Sequence, residues 1–215
     1  MARMTINEKI ILYTTAIDTA LSHPEIGEDL AKFKYDTDRL SEGKMLLTTV
    51  QELHLDQKNG YGNQFNATDD FKVIWSEVDD EYRQHVKMAR VALKKRRGAQ
   101  RKLALEGARK RNLPGWLDQT MTFYHHGLKN EDIKTALDEV GLTEAMLTAN
   151  RARILDVIEA DKFQEQEKHE ARRLTNARNK ALAALERWIS DFKAIAQVAL
   201  ADKPHLLKLL GFSPA

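Results

Sequence analysis

Apolar residues recur along this chain at spacings of three and four, the signature of helices that bury one face. Ile6, Ile10, Tyr13, Ile17 and Leu21 form the first stripe and predict a helix over about residues 4–21. Ser22-His23-Pro24-Glu25 then combines a serine, a proline in the first turn and a glutamate three places after the serine. That pattern predicts a capping box and a second, short helix, with Ile26, Leu30 and Phe33 on its apolar side. Leu40, Leu47, Val50 and Leu53 mark a third segment over about 37–56. The Asn- and Gly-rich stretch 57–63 predicts a loop. After it Trp75, Val78, Tyr82, His85, Ala89 and Ala92 carry the longest stripe, over about 68–95, and a short helix over about 98–106 closes the series. No run alternates with period two over a strand length, so sheet content should be close to zero.

The series then recurs. Ala89-Arg90-Val91-Ala92-Leu93 returns as Ala196-Gln197-Val198-Ala199-Leu200, 107 residues later. At the same offset, without gaps, identities fall at Thr15/Thr122, Leu21/Leu128, Ile26/Ile133, Leu30/Leu137, Leu40/Leu147, Val50/Val157, Thr68/Thr175 and Leu103/Leu210. Apolar matches in one register from end to end predict a tandem duplication. In the second copy Asn130 is the expected cap of the short helix and Gly141 its stop. The copies differ at the expected loop, because residues 163–170 contain no breaker, so 144–200 reads either as a hairpin or as one long helix. The shared register favours a hairpin in both copies, with Thr68 and Thr175 capping the start of the longest helix. The expected fold is all-α: a duplicated 107-residue helical bundle with antiparallel helices, divided as residues 1–107 and 108–215. A single merged bundle is the alternative.

Composition suits this reading. Hydrophobic residues make up 42%, charged residues 31%, and Gly and Pro together only 14 of 215, a balance that favours packed helices over disorder. No apolar run approaches the roughly 18 residues of a membrane span, and residues 1–8 lack the apolar core of a signal peptide, so a cytoplasmic location is expected. The absence of cysteine excludes disulfides, thiol nucleophiles and Cys-ligated zinc.

The closing phrase Leu182-Ala183-Ala184-Leu185-Glu186-Arg187-Trp188-Ile189-Ser190-Asp191-Phe192, followed by Ala199-Leu200, Pro204, Leu206-Leu207 and Leu210-Gly211, resembles the end of a group of uncharacterised, internally duplicated helical bacterial proteins. The resemblance covers the C-terminal part of each repeat and implies a helical fold with no activity attached. The first copy departs from it at 94–105, where most of the closing Pro and Leu residues give way to basic and small ones.

That departure carries the chain's strongest chemical signal. Eleven basic residues and one acid, Glu106, lie between Lys87 and Arg111, so the stretch holds a formal +10 while the whole chain holds +2. The candidate anion-binding residues are Lys94, Lys95, Arg96, Arg97, Arg101, Lys102, Arg109, Lys110 and Arg111. Such a cluster can neutralise phosphates with strong salt dependence; equally, it can cap helix C-termini and pair with acidic surface. No aromatic residue lies between 87 and 111, and no recognition-helix or zinc-finger spacing is present, so any nucleic-acid binding should be low in specificity.

Other chemistry is thinly supplied. Glu81 and His85, and Glu165 and His169, are four apart, and His125-His126 is a vicinal pair, but the Glu-x-x-His spacing of di-iron bundles does not occur twice. His85 aligns with Phe192 and so belongs on an apolar stripe. Neither a nucleophile elbow, a phosphate loop nor a dinucleotide glycine pattern is present, and Gly60-Tyr61-Gly62 fits a turn. Trp75, Trp116 and Trp188 fit core or repeat-interface packing. The sequence thus points to a non-catalytic helical module, without cofactor or metal, that binds a protein partner or its own copies. Low-specificity polyanion binding through 87–111 is the alternative.

Overall fold

Thr5 opens the first helix with a reciprocal cap: its hydroxyl accepts from the Glu8 N–H, and the Glu8 carboxylate accepts from the Thr5 N–H at 2.6 Å. The computed structural model describes residues 4–213, and among them every regular element is helical. In chain order these are α1 (Ile6–Ser22), α2 (Pro24–Ala31), α3 (Thr37–Ala92), α4 (Arg97–Lys102), α5 (Leu113–Lys129), α6 (Glu131–Asp138), α7 (Glu144–Ala199) and α8 (Pro204–Leu209). Their lengths run 17, 8, 56 and 6 residues, and then 17, 8, 56 and 6 again.

One local expectation needs correction. Ser22 does not cap α2; it is the last residue of α1, and the cap position falls on His23, which makes no side-chain cap bond. Pro24, already shaped for a helix start, does that work at the first position. Asn130 does cap α6, accepting from the Ile133 N–H at 3.2 Å, and Gly141 follows it at φ 81°.

The larger correction concerns the hairpins. Residues 57–63 form no loop, and α3 and α7 each run unbroken for 56 residues. The buried positions of α3 explain why. They fall at Leu40, Gly43, Leu47, Val50, Gln57, Gly60, Ala67, Phe71, Val78, Tyr82, His85 and Ala89, in steps of three, four and seven. Five of these are glycine, glutamine or alanine, so the stripe is continuous in space but interrupted in hydrophobicity. Glycine inside a helix costs only about 1 kcal/mol, and a packed seam outweighs it. Thr68 and Thr175 consequently sit inside helices, donating back to the carbonyls of Gln64 at 2.8 Å and Ala171 at 2.9 Å.

The chain divides into two compact units, and the division does not fall at 107/108. Unit 1 takes the described residues up to Gly62 together with those from His169 onward; unit 2 is Asn63–Lys168. A long helix that does not turn back cannot lay its later stripe on its own earlier half. The later stripe therefore packs on elements from the other 107-residue stretch.

Unit 1 buries Ile17, Ala20, Ile26 and Leu30 of α1 and α2, and Leu40, Leu47 and Val50 of α3. These pack with Leu185, Phe192 and Ala196 of α7 and with Leu206, Leu207, Leu210 and Phe212 around α8. The Trp188 indole lies over Gly43, Gln57 accepts from Arg178 at 2.8 Å, and Gly60 faces Leu174, so partner numbers fall along α7 as they rise along α3. Lys203, just before α8, reaches Glu25 at 2.8 Å and Asp29 at 2.7 Å.

Unit 2 buries Val78, Tyr82, Ala89 and Leu93 with Leu103, Leu105, Trp116, Phe123 and Tyr124, and adds Ile133 and Leu137 from α6 and Leu147, Ile154 and Val157 from α7. Thr68 accepts from Gln164 at 3.1 Å, Glu81 accepts from Asn150 at 2.6 Å and from Arg153, and Arg153 also reaches Glu77 at 2.9 Å. Here too, one number falls as the other rises.

Candidate anion-binding site

The basic stretch is held open by the leucines inside it. Leu93, Leu103 and Leu105 are buried at 0%, 0% and 6% exposure, which fixes the chain at three points and turns the residues between them outward. α3 ends at Ala92, the chain turns, and Gln100 donates to the Leu93 carbonyl at 2.8 Å, satisfying an acceptor left over at the helix end. Arg90 donates to the Leu105 carbonyl at 3.1 Å and so ties the last turn of α3 to the segment beyond α4.

All nine candidate residues are exposed. Arg96 donates to the Asp132 carbonyl at 3.0 Å, Arg97 stands 4.0 Å from Glu106, and Arg109 meets Asp79 at 3.0 Å. Lys94, Lys95, Arg101, Lys102, Lys110 and Arg111 form no ion pair among the described residues. Lys110 is positioned through its backbone, whose N–H donates to Gln119 at 2.8 Å. The structure thus brings the candidates to two neighbouring places in unit 2: the α3–α4 turn with α4, and the segment leading into α5.

Between Arg90 and Arg109 lies a groove of about 430 Å³. Tyr82, Val86 and Ala104 supply its apolar surface, Arg83, Lys87, Arg90 and Arg109 its cationic surface, and Gln119 a polar wall. Burial pushes the Tyr82 hydroxyl up to about 12, so it stays protonated. A second recess of about 370 Å³ shares Arg83 and Arg109 and adds Lys110, Arg111, Trp75 and Trp116. Asp79 braces this corner. It accepts from the Trp116 indole at 2.8 Å, pairs with Arg83 at 2.8 Å, and takes Arg109 on both oxygens, so one carboxylate faces two guanidinium groups.

Arg83 and Gln119 escape a reading of the sequence because they lie outside the dense run. The signal that could have found them is the 107-residue offset, which sets Arg83 against Ser190, Lys87 against Ala194, Arg90 against Gln197 and Gln119 against Leu12. In every pair the cation or amide is on the unit 2 side, or the charge is.

Histidine fills a different role. His85 is 4% exposed, and its Nδ1 stands 3.0 Å from the Tyr124 hydroxyl, inside the core of unit 2. Burial lowers the His85 pKa, against a smaller upward pull from Glu81, and burial raises that of Tyr124. The His125 and His126 rings lie 5.1 Å apart, and His169 is exposed. Among the described residues no three His, Cys, Asp or Glu side chains converge as a metal site. Trp116 and Trp188 are buried and Trp75 is half-buried against Trp116 at 5.8 Å.

Among the described residues no helix is long and apolar enough to cross a membrane. No protein-family model, curated protein or solved structure matches this chain.

Proposed function

We propose that this protein is a non-catalytic, cytoplasmic interaction module whose partner is a polyanion such as a nucleic-acid backbone, held without sequence preference by the basic end of unit 2. One observation carries the reading: most of the cationic cluster is exposed and has no acidic partner among the described residues. If the charges served to neutralise the protein's own acidic surface, they would be paired with it; among the described residues Arg97 and Arg109 alone of the nine come near a carboxylate. The absence of aromatic residues from 87–111 removes base stacking and leaves phosphate contacts as the source of affinity.

The test is binding of a fluorescent oligonucleotide across salt. A protein using six or more of these cations should lose about a thousandfold in affinity between about 50 and 200 mM salt. Changing Lys94, Lys95, Arg96 and Arg97 to Glu should abolish retention on heparin and leave helicity unchanged. Binding indifferent to salt, or to that fourfold change, overturns the reading.

The architecture we propose is a tandem duplication of antiparallel helical units that exchange halves. Support comes from the recurring helix lengths, from the 107-residue offset between the starts of α1 and α5, α2 and α6, α3 and α7, and α4 and α8, and from the opposed numbering of partners within each unit.

A further inference from the structure

We propose that the groove between the last turns of α3 and the Ala104–Arg109 segment is a binding site for a small amphipathic anion: one carboxylate, sulfonate or phosphate group on a flat hydrocarbon body. It is distinct from the polyanion surface, sharing only Arg109 with the nine residues assigned there, and does not depend on that reading.

Charge is the first reason. Arg83, Lys87, Arg90 and Arg109 converge on the groove. Asp79 serves Arg83 and Arg109 together, Asp80 adds one further pairing to Arg83 at 3.0 Å, and among the described residues Arg90 is engaged only by a carbonyl. Lys87 is exposed with no acidic partner among the described residues. Four cations against two carboxylates leave the groove with a surplus that an anion would balance, next to apolar walls that strengthen the attraction by excluding water.

Shape is the second. Tyr82, Val86 and Ala104 offer apolar surface beside those cations, and about 430 Å³ lies within the range of small-ligand sites. The corresponding corner of unit 1 shows how such a space is closed. There Gly211 stands where unit 2 has Ala104, and the Leu12 side chain lies against it, its Cδ1 2.7 Å from where a β-carbon would sit. Gln119 occupies the position of Leu12 in unit 2, and Lys87 and Arg90 replace Ala194 and Gln197. One corner is filled by leucine; the other is open and cationic.

The probes are naphthalene-1-sulfonate and its neutral analogue naphthalene-1-methanol, titrated calorimetrically into the full-length protein. One sulfonate should bind per chain, at least tenfold tighter than the alcohol. Val86→Trp, which fills the groove, should weaken the sulfonate at least tenfold. Lys87→Glu, on an exposed helical position that places no demand on folding, should remove the preference for the anion. The fourfold Glu variant of Lys94 to Arg97 should leave sulfonate binding within twofold, which separates this site from the polyanion surface. Equal affinity for sulfonate and alcohol, or sulfonate binding indifferent to both Val86→Trp and Lys87→Glu, overturns the proposal.

Discussion

Replacing Gly43 with alanine should destabilise unit 1, although the same change in the middle of a helix ordinarily stabilises. Alanine gains about 1 kcal/mol over glycine in a helix interior. At position 43, however, the new methyl would overlap Cη2 of the Trp188 indole and lie 2.5 Å from its Cζ2 and 2.7 Å from its Cζ3. These atoms belong to a rigid ring, not to the end of a flexible chain, and the ring is held by Phe192 at 5.2 Å and Tyr35 at 5.9 Å. Forcing the indole aside disturbs both of these aromatic contacts, and overpacking of this kind costs about 1–3 kcal/mol. The net expectation is a loss of about 1 kcal/mol. Gly62 supplies the control on the same helix: a methyl there meets no heavy atom within 4 Å, so Gly62→Ala should stabilise by about 1 kcal/mol. Urea unfolding followed by far-ultraviolet circular dichroism and tryptophan fluorescence would place the two variants about 2 kcal/mol apart, on opposite sides of the wild type. Combining Gly43→Ala with Trp188→Leu should cancel most of the steric penalty, which a double-mutant cycle reads directly. If Gly43→Ala stabilises as much as Gly62→Ala, the close packing inferred at this point of the seam is wrong.

Three further outcomes follow from particular residues. Lys34 at φ 67° and Ala104 at φ 50° hold backbone conformations that the matching positions give to Gly141 at 81° and Gly211 at 74°; Lys34→Gly and Ala104→Gly should each raise stability by about 1 kcal/mol in urea titrations, and a loss in either would refute the strain. Burial keeps the folded-state pKa of His85 below its unfolded value of about 6.5, so the unfolded chain takes up the proton first. Stability should be full above about pH 6.5 and fall as pH drops from there toward the folded-state pKa, with a shallower fall in His85→Phe; parallel stability–pH curves for the two proteins would count against it. A fragment of residues 1–107 lacks Leu182–Phe212, half the core of unit 1. Sedimentation and circular dichroism should find it unfolded or self-associated, whereas a cooperatively folded monomer would contradict the proposed exchange of halves.

Much of the helical content was legible in the sequence because α1, α2, α5 and α6 carry uninterrupted stripes of large apolar residues at helical spacing, and Asn130 and Gly141 punctuate them by known chemistry. The true cap of α1 escaped because Thr5 lies inside the expected helix span of about 4–21 and Glu8 falls between the first two residues of the stripe, while Ser22 and Glu25 imitate a capping box around a proline. The continuity of α3 escaped because Gly43, Gln57 and Gly60 are buried by contact with Trp188, Arg178 and Leu174, partners far away in sequence. A glycine beneath an indole has the same letter as a glycine in a turn. For the candidate site, the dense basic run was visible, and the groove was not. Arg83 and Gln119 reach it from α3 and α5, a juxtaposition created by folding.

The Trp188–Gly43 contact has a counterpart 107 residues away on each side: Glu81 stands for the tryptophan and Asn150 for the glycine, and these two are joined by a 2.6 Å hydrogen bond. Bulk against clearance in one place corresponds to amide against carboxylate in the other. Two identical subunits would have to repeat whichever solution they adopted at both places. Under the proposed duplication, one covalent chain was released from that symmetry, and each corner could acquire its own chemistry without asking the other to follow.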